Sequence, residues 1–243
     1  MAIYILCHIH LVLFPDPPDD LTITGYSTGD IVNEGTERRI KCTAVSGNPL
    51  PTLEWFSGDT KMENTIPDVG ESDSYVSSEI FVKIDRSDND KVYECRGVNE
   101  ANPDTPVTKS FKMAVEFPPR ILTITVDPEK PVEGKSAVLT CITDTSSPGV
   151  EMQWRYNGNI LPSTDSVSRP GPFAGVVTTN LLHIDVTTKH VGAVFSCEAK
   201  HNPSMTTVHN STVLTIKCKQ TYLDFNPEYP SGLPLILFRC CLY

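Results

Sequence analysis

The chain has 243 residues and a formal net charge of −10, from 20 Lys and Arg against 30 Asp and Glu. That balance argues against nucleic acid and anionic membrane surfaces as partners, because both select for basic excess. Eight cysteines indicate an oxidising compartment, 20 prolines among short alternating apolar runs indicate an all-β chain, and no run approaches the roughly 18 apolar residues of a membrane span.

Residues 1–16 read as a separate N-terminal segment. Ala2–Phe14 is apolar enough for a secretory h-region, but no Lys or Arg precedes it and no small-x-small cleavage site follows. Val12-Leu13-Phe14-Pro15 instead parallels Val115-Glu116-Phe117-Pro118 at an offset of 103, as expected of the last strand of an upstream domain or of a gene-model artefact. Cys7, His8 and His10 are potential soft and imidazole ligands. Zinc needs a fourth ligand in a closed tetrahedron, and strand alternation sends neighbouring side chains to opposite faces, so no metal is expected there. Gly25-Tyr26-Ser27-Thr28-Gly29 matches the G-x-S-x-G pattern formally. A nucleophile elbow needs a strand-to-helix turn; with strands expected on both sides, these residues read as a glycine-rich turn.

The main signal begins at Glu34-Gly35. Cys42, Trp55 and Cys95 follow, with Tyr93 two residues before the second cysteine. Glu133-Gly134, Cys141, Trp154 and Cys197 repeat the frame about one hundred residues on, with Phe195 in place of the tyrosine, and both tryptophans lie thirteen residues after their cysteine. Such spacing suits a two-sheet sandwich about 10 Å thick, in which one cysteine from each sheet bridges the gap and the tryptophan packs on the sulfurs. Closing a loop of that length stabilises a domain by about 4 kcal/mol in the chain-entropy model, so these residues are expected to be scaffold. Ile80, Val82 and Ile84 precede Tyr93 at the offsets by which Leu182, Ile184 and Val186 precede Phe195, so a half-buried strand is expected in each repeat. Asn157-Gly158 suits a tight hairpin after the second tryptophan, and Ser57-Gly58 is its counterpart in the first repeat. The acidic run Asp85, Asp88, Asp90 reads as a solvated turn rather than a calcium site, because the second repeat has Thr187, His190 and Gly192 there.

Between the repeats, Phe117-Pro118-Pro119-Arg120 follows a last strand carrying Phe111, Met113 and Val115, and its prolines restrict the junction. His183, His190, His201 and His209 are read as surface residues. Asn210-Ser211-Thr212 is the usable glycosylation sequon, since Pro203 disqualifies Asn202. Residues 218–243 lose the pattern and are expected to be disordered, and Cys7, Cys218, Cys240 and Cys241 have no partner that the repeat supplies.

The Cys/Trp/Tyr-x-Cys frame, with "DNDKVYECRGVNEANPDTPVTKSFKMAVEFPPR" and "VFSCEAKHNPSMTTVHNSTVLTI", resembles C2-type domains of the immunoglobulin superfamily in nephrin-, Kirre- and nectin-like adhesion molecules. The resemblance covers roughly residues 17–217. It departs where Phe195 removes the hydroxyl of a tyrosine corner, and where Asn89 and Val191 stand for the usual aspartate four residues before the aromatic. It implies an all-β fold of two tandem immunoglobulin-like β-sandwiches, residues 17–117 and 118–217, joined by a short Pro-rich linker. It further implies an extracellular or cell-surface binding module for adhesion, with other immunoglobulin-superfamily or cell-surface proteins, or itself, as partner. A matrix array, a secreted immune-recognition protein and the ectodomain of a receptor with an intracellular enzyme are the alternatives. No catalytic residue, cofactor or small-molecule substrate is expected, and any membrane attachment would come through segments absent from this chain.

Overall fold

The computed structural model describes residues 14–70, 75–162 and 166–217, together with two three-residue strands near the C-terminus. The odd cysteines Cys7, Cys218, Cys240 and Cys241, and the His8 and His10 cluster, lie outside the described residues. Backbone contacts divide the chain into two compact units, Met1–Val115 and Glu116–Tyr243.

Unit 1 runs β1 (Leu21–Thr24), β2 (Ile31–Asn33), β3 (Glu37–Ala44), β4 (Thr52–Ser57), β5 (Thr60–Lys61), β6 (Thr65–Val69), β7 (Val76–Lys83), β8 (Val92–Val98), β9 (Val107–Lys112) and β10 (Ala114–Glu116). Its sheets are β1-β3-β7-β6 and β5-β4-β8-β9, with β2 and β10 paired separately. Unit 2 repeats the plan with β11 (Leu122–Asp127), β12 (Ser136–Ser146), β13 (Glu151–Tyr156), β14 (Asn159–Ile160), β15 (Ser166–Pro170), β16 (Val176–Asp185), β17 (Val194–His201) and β18 (Thr206–Val213). Its sheets are β11-β12-β16-β15 and β14-β13-β17-β18. Each unit is thus a four-on-four sandwich, one strand more than the seven of a constant-type domain. In the tail, β19 (Gln220–Tyr222) and β20 (Ile236–Phe238) pair antiparallel.

Period-two alternation builds both cores. Ile40, Cys42 and Ala44 of β3 face Trp55, Tyr93 and Cys95, and all are buried. Leu139 and Cys141 of β12 meet Trp154, Leu182, Phe195 and Cys197 in the second core. The last strand of unit 1 carries buried Phe111, Met113 and Val115, but changes partner along its length: β9 pairs with β8, and β10 with β2.

Two expectations shift in register. Asn157 and Gly158, at φ 46° and 85°, form the expected hairpin turn. In unit 1, however, Ser57 pairs with Thr60, so the turn residues are Gly58-Asp59 rather than Ser57-Gly58, and Gly58 takes the positive φ of 57°. At the N-terminus, Asp16 rather than Phe14 holds the place of Phe117. Asp16 bridges Asn48, and Phe117 bridges Ser147, each the residue before a cis-proline. The register is set by Leu21-Thr22-Ile23-Thr24 and Leu122-Thr123-Ile124-Thr125, identical tetrapeptides at an offset of 101, whose leading leucines are both core residues. Phe14 is left 78% exposed.

Candidate functional site

Each sandwich is pinned by a disulfide between its sheets. Cys42 of β3 joins Cys95 of β8, and Cys141 of β12 joins Cys197 of β17, both with Cα atoms 6.5 Å apart. The two tryptophans are buried beside them. Trp55 Nε1 donates to the Ser78 carbonyl at 3.1 Å, whereas Trp154 Nε1 meets no acceptor among the described residues.

The turn before β8 departs from the solvated reading at one of its acidic residues, Asp88, while Asp85 and Asp90 are exposed. Arg86 and Asp88, in a short 3-10 turn, are buried. Arg86 forms a bidentate pair with Glu34, at 2.8 and 2.9 Å. Asp88 accepts from the Tyr93 hydroxyl, Lys91 Nζ and the Asp85 amide, each at 2.9 Å. A carboxylate so buried needs these donors, since a buried charge left unpaired is costly. Burial first, then the charge of Asp88 and its hydrogen bond, push the Tyr93 phenol well above its ordinary value.

Unit 2 fills the same corner with rings. Phe195 has no hydroxyl, and Tyr156 from β13 supplies one instead, donating to the Lys189 carbonyl at 2.9 Å. Tyr156, His190 and Phe195 cluster with centroids 5.1 to 5.9 Å apart. His190 Nδ1 accepts from the Thr187 amide at 3.2 Å, and burial lowers its pKa.

His201 is a second correction. It is fully buried, not a surface residue, with Nε2 3.0 Å from the Ser147 carbonyl and Nδ1 2.7 Å from Ser204 Oγ. Asn99 performs the same task at the end of β8, donating to the Asp16 and Pro49 carbonyls at 2.7 and 2.8 Å. A polar side chain at the end of this strand ties down the loop after the first cysteine strand in both units.

The outward face of β5-β4-β8-β9 carries an arginine–aromatic stack and two ion pairs. The Arg96 guanidinium stands 3.8 Å over the Phe56 ring, with Arg96 Nε 2.5 Å from Glu94 and Lys61 2.7 Å from Glu54. Arginine and aromatic side chains dominate the energetics of protein contacts. The matching face of unit 2 has Arg155 paired with Glu198 at 2.9 Å.

Asn210 lies exposed on edge strand β18, opposite Cys197, and its Nδ2 donates to the Leu122 carbonyl at 2.8 Å. Gly25–Gly29 forms a turn between β1 and β2, with Tyr26 buried and its hydroxyl donating to the Asp30 carbonyl at 2.6 Å. Among the described residues no group of three or more His, Cys, Asp and Glu converges as metal ligands, and no helix is long and apolar enough to cross a membrane.

Two disulfide-pinned sandwiches in tandem, each with a buried tryptophan on the bridge, define the class. The chain belongs to the immunoglobulin superfamily. The immunoglobulin-domain model matches residues 118–201, and the CD80-like C2-set immunoglobulin-domain model matches residues 22–104. The chain is similar to human nephrin, 27% identical over 217 residues that make up 85% of this chain and 17% of nephrin. It is also similar to rat Kin of IRRE-like protein 1, 26% identical over 60% of this chain and 18% of that protein, and to human Cell adhesion molecule 2, 25% identical over 75% and 40%. It therefore spans only a small part of the curated relatives it matches. The crystal structures of Rst D1-D2 (TM-score 0.56, 16% identity, 82% of this chain and 100% of that one) and of the mouse nectin-like molecule 4 ectodomain (0.58, 18%, 83% and 65%) share the fold.

Proposed function

We propose that the chain is an extracellular or cell-surface recognition module that supports cell adhesion through protein–protein contacts, without catalysis of its own. The observation that carries this reading is the tandem of disulfide-pinned immunoglobulin sandwiches, with the Phe56–Arg96 stack displayed on an outward sheet of unit 1. The disulfides support an oxidising, extracellular setting. The partner is another immunoglobulin-superfamily or cell-surface protein, or a second copy of the chain, and weak single contacts gain strength through multivalency.

Beads coated with the full chain test this. Clumping indicates self-recognition, and binding to cells indicates a separate partner. Arg96→Glu, at a partly exposed position, should reduce either signal at least about tenfold, the loss of a contact hot spot. Inertness in both formats would leave only a spacer role in a longer array.

Asn210 is proposed as a glycan acceptor. Its exposure and edge position suit the modification, and a glycosylated amide keeps one N–H with which to hold the Leu122 carbonyl. A glycan there would shield the edge of β18 from strand addition.

A further inference from the structure

One end of the unit 1 sandwich is open where unit 2 is closed. In unit 2, β12 continues to Ser146 and pairs with the start of β16 through Thr145↔Val177 and Ser146↔Val176. Near that closure Asn180, fully buried, donates to Ser166 Oγ at 2.7 Å. In unit 1, β3 stops at Ala44, paired with Val76. Ser78 and Pro67 stand at the register positions of Asn180 and Ser166, opposite the first cysteine and each other. The outcome is a cavity of about 760 Å³ between β6, β7 and the segment 45–53.

Its walls are mixed, with Pro49, Leu50, Pro51 and Pro67 beside the polar Asn48 and Thr52. Ser77 and Ser78 also line it and are 0% and 2% exposed, yet neither Oγ has a hydrogen-bond partner among the described residues. Buried hydroxyls without partners are rare in folded proteins. In unit 2 the position of Ser78 is taken by Asn180, joined to Ser166; here it holds a smaller serine, on the same side of β7 as Pro67 at the cleft. The volume falls within the range of roughly 300–1,000 Å³ typical of small-ligand sites.

We propose that this cavity is a binding site for an aromatic ring bearing a hydroxyl at its inner end, a phenol. Proline rings offer flat C–H faces to an aromatic ring, and the phenolic hydroxyl both donates and accepts, so it can satisfy a serine Oγ in either sense. The same chemistry is available from a free phenol or from a tyrosine side chain on a partner polypeptide. The site is separate from the Phe56–Arg96 face and does not depend on its role.

Amide NMR on the full chain, titrated with p-cresol, toluene and N-acetyltyrosine methylamide, tests the assignment. p-Cresol should shift the Leu50, Val69, Val76 and Ser77 amides saturably, and toluene should bind at least about threefold more weakly for want of a hydroxyl. Ser78→Ala should weaken p-cresol binding by roughly 3- to 10-fold, and Val69→Asp, at the exposed rim, should abolish it while leaving the remaining spectrum folded. Binding of the tyrosine derivative as well assigns the site to a polypeptide side chain, and binding of p-cresol alone assigns it to a free phenol. No saturable shift at these amides, equal affinity for toluene, or an unchanged Ser78→Ala affinity would overturn the proposal.

Discussion

Tyr93 and Phe195 hold one place in the repeat and are accommodated by different chemistry. In unit 1 the phenol completes a buried set of charged groups around Asp88; in unit 2 Tyr156 brings a hydroxyl in from another strand. Tyr93→Phe should therefore cost unit 1 about 1.5–3 kcal/mol, the value of a hydrogen bond to a charged group, measured by chemical denaturation. Phe195→Tyr should not be stabilising, because the counterpart of Asp88 is His190, already packed on the rings. His190 also carries a pH dependence. Its Nδ1 can accept the Thr187 amide only when unprotonated, and burial lowers its folded pKa. The unfolded chain takes up the proton first, near pH 6.5, so the contribution is complete above that pH and is lost as pH falls through the folded value. The melting temperature of unit 2 should fall between pH 7 and pH 5, and the fall should be smaller in His190→Gln. None of these partners was legible from residue types alone. Asp88 reads as part of a solvated turn until Lys91 and Tyr93 are placed around it.

At the scale of elements, local signals were informative where one residue type alone can make the geometry. Asn157-Gly158 reads as a turn because both residues tolerate positive φ. Its counterpart moved by one position because strand register, not composition, decides which pair of residues sits outside the ladder. The paired Leu-Thr-Ile-Thr strands show the complementary case: an exact repeat that locates both first strands once the bridges of Asp16 and Phe117 align them. Between β1 and β2, Gly25 has φ +90°, and a Cβ there would lie 2.1 Å from the Arg39 carbonyl oxygen. Gly25→Ala should destabilise unit 1 by at least about 2 kcal/mol through strain and backbone collision, visible as a lowered denaturation midpoint with an unchanged slope.

At the scale of the whole molecule, the proposed glycan and the disulfides are one prediction about compartment. Peptide mapping of protein secreted from a glycosylating host should find Asn210 modified, and Asn210→Gln should remove that mass. Unmodified Asn210 in secreted protein would overturn the glycan proposal. Asn210 shares the sandwich's inner side with Cys197 at the open edge, so the glycan should leave the outward Arg155–Glu198 face accessible. The sequence by itself determined the all-β class, the twofold repeat and the residues of both bridges, because cysteine and tryptophan spacing reflects the separation of two sheets. Only the tertiary structure decided that His201 is buried, that the turn before β8 encloses a charged network, and that unit 1 is open where unit 2 is closed. Those outcomes depend on which side chains meet across strands distant in the chain, and no local pattern encodes such meetings.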